Sequence, residues 1–144
     1  MRLSNDSGQS FNLALSRFEP PNRQWLVVIG EIHDGTREWR FEDPCLTPKD
    51  VRRLAEWLRR VADGKTNRTE IDFLEPNLAF EAVGHSGSSV VIRVAFELEA
   101  RPPWNDRART DNEWRSVWLE FPITPEQLRE TSDGLRADLS ALED

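Results

Sequence analysis

The sequence has few of the residues that form disulfides, metal centres and membrane spans. Its 144 residues include one cysteine, Cys45, and two histidines, so no internal disulfide can form. Residues 1–8 are polar and lack the apolar core of a secretion signal. The longest apolar run, residues 25–29, contains five residues, whereas a membrane-spanning helix needs about 20. These features predict a cytoplasmic protein that does not associate with a membrane.

The sequence has fewer positive than negative charges. It contains 19 lysines and arginines against 26 aspartates and glutamates, which gives a net charge of −7. Because phosphate contacts dominate the affinity of nucleic-acid-binding proteins, this balance argues against direct nucleic-acid binding and favours a basic partner. Six tryptophans and seven phenylalanines are sufficient for a hydrophobic core. We therefore expect residues 1–144 to form one domain.

The pattern of apolar residues predicts strands, a helix, further strands and a final helix. Alternating or fully apolar segments indicate strands, which we place at residues 9–17, 24–33, 36–42, 70–74, 77–83, 89–101 and 114–123. Asp34-Gly35 has the composition of a type I′ turn. Short turns between neighbouring strands indicate antiparallel pairing.

Two segments begin with the chemistry of a helix N-terminus. Thr47-Pro48 and Thr124-Pro125 each combine a capping residue with a proline at the first helical position. Apolar residues follow each start with helical spacing. The predicted fold is α+β, with both amphipathic helices packed on one face of a mostly antiparallel sheet. The expected core includes Leu54, Leu58, Val94, Phe96, Leu119, Phe121 and Leu135.

The residues that catalysis or metal binding would require do not occur in a suitable pattern. His33, His85 and Cys45 do not have the spacing of metal ligands. The nucleophile and phosphate-binding motifs of common enzyme classes are missing. Glu97 and Glu99 have a spacing that glycoside hydrolysis could use, but acids on one strand face are more often only solvated. We therefore expect no metal, no cofactor and no enzymatic activity.

One sheet face combines aromatic and acidic residues, as protein interfaces often do. Because side chains alternate along a strand, we predict that Trp118 lies on the outward face of its strand, as Arg93, Glu97 and Glu99 do on theirs. If the strands at 89–101 and 114–123 pair, their outward side chains and the loop between them form one surface. The predicted partner-binding residues are Arg93, Glu97, Glu99, Trp104, Asp106, Asp111, Glu113 and Trp118. The rival surface is the exposed side of the first helix, which would suit an acidic partner through Arg52, Arg53, Arg59 and Arg60.

Five segments, in order between residues 25 and 104, carry a family resemblance that spans roughly residues 9–142. They are Trp25-Leu26-Val27-Val28 with Gly30-Glu31, Trp39-x-Phe41-x-Asp43-Pro44-Cys45-Leu46, Leu54-x-x-Trp57-Leu58, Glu75-Pro76-Asn77-Leu78-x-Phe80, and Phe96-x-Leu98-Glu99 with Arg101-Pro102-Pro103-Trp104. Together they resemble the immunity-protein family typified by WapI. The resemblance implies a cytoplasmic bacterial inhibitor that binds the toxic domain, often a nuclease, of a contact-dependent polymorphic toxin. It implies stoichiometric occlusion and no catalytic residues.

A second hypothesis from a different class is a small-ligand or carbohydrate-binding module. Such a module would use the tryptophan rings as stacking platforms. It would usually meet its polymer outside the cell, so the lack of a secretion signal argues against it.

Overall fold

The computed structural model describes residues 1–104 and 117–144, which form two antiparallel four-stranded sheets and two α-helices. The first sheet contains β1 (Arg2–Ser4), β2 (Gln9–Phe18), β3 (Leu26–Asp34) and β4 (Glu38–Leu46), in that spatial order. Helix α1 (Pro48–Ala62) leads to the second sheet. That sheet contains β5 (Glu70–Asp72), β6 (Leu78–Ser86), β7 (Ser89–Phe96) and β8 (Trp118–Ile123), and α2 (Pro125–Glu143) follows it. The α+β prediction is confirmed.

The strands divide between two sheets, where the sequence had suggested one. Each pair of neighbouring strands is antiparallel, but α1 separates β4 from β5 and these two strands belong to different sheets. The sheets meet through aromatic rings: Phe96 of β7 contacts Phe11 and Trp39 of the first sheet edge-on, at centroid distances of 5.1 and 5.7 Å. Buried residues of both sheets and both helices form one cluster.

Both helices begin as the sequence predicts and pack against each other. Thr47 and Thr124 each close a capping box, with Asp50 and Gln127 as the third helical residues. The hydroxyl of Ser132 donates to the carbonyl of Ala55 at 2.7 Å, which joins the helices inside their buried interface. Among the described residues, no helix is both long and apolar enough to cross a membrane.

The predicted core is confirmed at every position. All seven residues are at most 8% exposed: Leu54, Leu58, Val94, Phe96, Leu119, Phe121 and Leu135. They come from α1, β7, β8 and α2, so the spacing of apolar residues was sufficient to identify the buried face of each element.

Several predicted boundaries need correction. The strand expected at 89–101 ends at Phe96, because Leu98 adopts a positive φ of 49° and begins a short 3₁₀ turn. β4 continues beyond the predicted end at Glu42 to Leu46. The described part of the last strand begins at Trp118, and residues 114–116 lie outside the described residues.

The turn between β3 and β4 also differs from the type I′ prediction. A type I′ turn centred on Asp34 and Gly35 requires a positive φ at both, and of these two residues only Gly35 has one, at 98°. Asp34 instead precedes the turn, and its carboxylate accepts hydrogen bonds from the backbone N–H groups of Thr36 and Arg37. The Arg37 hydrogen bond is the main cause that lowers the pKa of Asp34.

The burial of α1 predicts a large difference between two leucines. Leu58→Ala removes a side chain that is 1% exposed, so we expect unfolding free energy to fall by ~2–5 kcal/mol. Leu74→Ala is the matched control, since Leu74 is 82% exposed and surface changes usually stay within about 0.5 kcal/mol. Urea denaturation measures both, and equal losses would contradict this packing.

Candidate protein-binding surface

The outer face of the second sheet places charged side chains from all four strands in one row. The strand register aligns Glu70 of β5, Glu81 of β6, Arg93 of β7 and Glu120 of β8. Side chains alternate along a strand, so the residues between them, such as Phe80 and Val94, point into the core.

A second row of residues lies beside the first, and most of its side chains are small. It consists of Asp72, Ala79, Ala95 and Trp118, one from each strand. We call the eight residues of the two rows the acidic sheet face: Glu70, Asp72, Ala79, Glu81, Arg93, Ala95, Trp118 and Glu120. It contains four carboxylates and one guanidinium, so it favours a basic partner.

Arg93 is held between an aromatic ring and a carboxylate. Its Nη2 donates to Oε1 of Glu120 at 2.8 Å, and its Cζ lies 4.2 Å from the centroid of the Trp118 ring. Trp118 remains 43% exposed. Arginine and tryptophan are enriched among the residues that dominate binding energy at interfaces. Because this pair is already fixed, less side-chain entropy is lost when a partner binds it.

A small depression lies next to this pair. Ala79 and Ala95 form part of its lining because their side chains are short, and Trp118, Arg93 and Glu81 also line it. Its volume of about 80 Å³ is on the scale of a single side chain. The acidic sheet face therefore offers an aromatic anchor, a shallow depression and a surrounding negative charge.

Two of the eight predicted binding residues, Arg93 and Trp118, lie together on the acidic sheet face. Glu97, Glu99 and Trp104 do not, because the chain leaves the sheet after Phe96. The other three, Asp106, Asp111 and Glu113, lie outside the described residues.

The predicted exposure of Glu97 is wrong. Glu97 is only 6% exposed and forms an ion pair with Arg101, whose Nη2 donates to its Oε2 at 2.8 Å. Its backbone N–H also donates to the carbonyl of Asn77 at 2.8 Å. Removing one member of a buried ion pair is destabilising, so we expect substitution of Glu97 to lower the stability of the fold.

Glu99 and Trp104 lie nearer the first sheet. Glu99 accepts a hydrogen bond from the side-chain amide of Asn77 at 3.3 Å, and the same amide donates to Asp43 at 3.1 Å. Burial raises the pKa of Asp43, and the charge of Glu99 raises it further. Trp104 packs edge-on against Trp39 of β4 at 5.5 Å, with the Arg37 guanidinium 4.0 Å from its ring centroid.

Sequence reasoning missed most of the charged residues on the acidic sheet face. Glu120 shares its strand parity with Trp118, so this signal was available. Glu70, Asp72 and Glu81 belong to strands that the sequence predicted, and the short turns between those strands indicated their antiparallel pairing. The register that aligns their side chains with Arg93 was not predicted, because it depends on the irregularity between Ala82 and Gly84.

Comparison with known proteins gives one family match. The family model of the WapI-like immunity proteins matches residues 2–143. No curated protein matches the chain, and no solved structure matches it either.

Two kinds of reactive group can be assessed in the described residues, metal-holding clusters and the cysteine thiol. In residues 1–104 and 117–144, no group of three or more histidine, cysteine or acidic side chains could hold a metal ion. Cys45 is fully buried, and burial followed by the charge of Asp43 raises its thiol pKa to about 12. A thiolate is the nucleophilic form of cysteine, so Cys45 is a packing residue.

The burial of Cys45 predicts an unreactive thiol. In the folded protein at pH 8, we expect a water-soluble thiol reagent to label Cys45 only as fast as the protein unfolds, because the side chain is inaccessible and its pKa is about 12. Protein unfolded in guanidinium chloride is the control and should label at once. Rapid labelling of the folded protein would contradict this environment.

Proposed function

Because the chain belongs to the WapI-like immunity protein family, we propose that it neutralises a cognate polymorphic toxin by binding the toxic domain. Inhibition by stoichiometric occlusion requires no catalytic residue in the inhibitor, so this role needs no enzymatic activity or cofactor. The inhibitor acts in the cytoplasm of the producing bacterium. The net charge of −7 suits a basic toxin domain. A nuclease fits, since its active site must attract phosphate groups.

The acidic sheet face is the proposed toxin-binding surface. The observation that carries this proposal is Arg93, fixed between Trp118 and Glu120 among three further carboxylates. A hydrogen-bonded sheet holds these side chains in one arrangement. The aromatic–arginine pair supplies an anchor, and the surrounding negative charge accelerates the encounter with a basic domain.

The other predicted residues extend this proposal toward the chain that enters β8. Asp106, Asp111 and Glu113 precede Trp118 in the sequence, in a segment that also contains Arg107, Arg109 and Arg115. Glu99 and Trp104 are exposed at the start of that segment. Glu97 is excluded from the contact surface because it is buried.

The tryptophans give less support to a carbohydrate-binding module. Trp104 and Trp118 are the exposed tryptophans in the described part of the chain. An arginine guanidinium covers each ring, with Arg37 on Trp104 and Arg93 on Trp118. A sugar would have to displace the guanidinium or use the opposite side of the ring.

Truncation of the anchor tests the proposed surface. Trp118→Ala should weaken binding to the toxin domain at least tenfold, which corresponds to about 1.4 kcal/mol, because hot-spot residues at interfaces lose this much or more. The cognate toxin domain is the expected partner, and isothermal titration measures both the affinity and a one-to-one ratio. Trp104→Ala, at nearly equal exposure of 42% against 43%, tests the extension beyond the acidic sheet face and should weaken binding less than Trp118→Ala does.

Charge reversal distinguishes the acidic sheet face from the rival helix surface. Glu81→Lys should slow association with the toxin and reduce its salt dependence, because it weakens the attraction of a basic domain. Arg59→Glu is the control on α1, where Arg59 pairs with exposed Asp133. If Arg59→Glu abolishes protection of cells and the Trp118 and Glu81 variants retain full affinity, the proposed surface is wrong.

A further inference from the structure

A groove beside α1 is lined by basic residues, although the chain as a whole has a net negative charge. It lies between α1, the segment from Thr66 to Ile71 and one residue of α2, and its volume is about 510 Å³. Six of the 19 basic residues line it: Lys49, Arg52, Arg53, Arg60, Arg68 and Arg136. We call these six residues, with Trp57 and Ile71 beneath them, the basic groove.

The positive charge of the basic groove is only partly balanced within the chain. Arg52 pairs with Glu143 at 2.6 Å and Arg53 with Asp50 at 3.5 Å, both from outside the lining. Glu56 and Glu70 are the acidic residues of the lining itself. Glu56 accepts from both Arg60, at 2.9 Å, and Arg136, at 3.3 Å, so one carboxylate serves two guanidinium groups. Lys49 and Arg68 form no ion pair within residues 1–104 and 117–144.

The segment that closes the groove is held in place by α1. The indole Nε1 of Trp57 donates to the backbone carbonyl of Arg68 at 3.0 Å. This hydrogen bond fixes Arg68 next to the arginines of α1. Bringing like charges together lowers stability, and an anionic occupant would reverse that effect.

The lining favours a peptide over a nucleic acid. Trp57 is only 5% exposed and its indole nitrogen is already bonded, so its ring is not available for base stacking. Glu56 and Glu70 would repel a continuous row of phosphates. A peptide can place neutral residues beside these glutamates and its carboxylates beside the cations. The aliphatic stems of arginine and lysine also provide apolar walls for its side chains.

We propose that the basic groove binds an acidic, partly apolar segment of a protein, with Lys49 and Arg68 as the residues that pair with its carboxylates. From Lys49 to Arg60, α1 rises about 16 Å at 1.5 Å per residue. An extended peptide of about five residues covers this length. This second binding surface adjoins the acidic sheet face, since Glu70 belongs to both, but its partner segment has the opposite charge.

The test uses a fluorescein-labelled peptide in which glutamates alternate with leucine and alanine. Fluorescence polarisation measures its affinity for the full chain at low salt. The double reversal Lys49→Glu with Arg68→Glu should raise Kd at least tenfold, because it removes the two unpaired cations. It breaks no ion pair among the described residues and both side chains are exposed, so the fold should persist, as a thermal melt can verify.

The matched control makes the same change of net charge elsewhere. Arg2→Glu with Arg17→Glu reverses two exposed arginines of β1 and β2, outside the groove lining. It should leave Kd within about twofold. Equal weakening by both double variants would overturn the proposal, because binding would then depend on the net charge of the chain and not on the groove. If the chain binds a single-stranded oligonucleotide of matched charge more tightly than the peptide, the proposal is overturned in favour of nucleic acid. The proposal is also overturned if the unaltered chain does not bind the peptide.

Discussion

The contact between the two sheets at Phe96 fixes the position of β7 and the direction in which its neighbouring side chains point. Phe96 is fully buried and touches Phe11 and Trp39 edge-on, so the end of β7 is held against the first sheet. Aromatic pairs of this kind contribute about 0.5–1.5 kcal/mol beyond the area that they bury. Because alternate residues of a strand face opposite sides, burial of Val94 and Phe96 on the inner face puts Arg93 and Ala95 on the outer face. The acidic sheet face therefore depends on a packing contact within the core.

A single extra residue in β6 determines which side chains share that outer face. The register between β6 and β7 shifts between Ala82 and Gly84. Without the bulge, the pairing of the hairpin end would continue and place Arg93 opposite Ala82. Glu81 would then fall on the inner face, since a one-residue slip exchanges the two faces of a strand. The bulge shifts the register of β6 against β7 by one residue, and this shift brings Glu81 into one row with Glu70, Arg93 and Glu120.

The helices, the core and the outer face of the second sheet show what could and could not be predicted from the sequence. Capping residues and apolar spacing identified both helices and the seven core positions, because these depend on neighbours a few residues apart. Arg93 and Trp118 were also predictable from parity within single strands. Glu97 was not, because its burial depends on Arg101, on the Asn77 carbonyl and on a positive φ at Leu98. Leucine gives no signal for that conformation, which usually favours glycine. The two-sheet arrangement and the β6 bulge likewise depend on contacts between distant segments.

The two surfaces differ in how they would act on a partner. The acidic sheet face is carried by four hydrogen-bonded strands and has a fixed aromatic anchor, so it suits a folded domain with a preformed basic surface. The basic groove is lined by long side chains from three segments, and these can adjust to an extended peptide. Opposite charges on the two surfaces, which adjoin at Glu70, also orient a partner before contact, because each surface repels the region that belongs on the other. A partner that engages both would gain from effective concentration, since binding at the first surface makes binding at the second intramolecular.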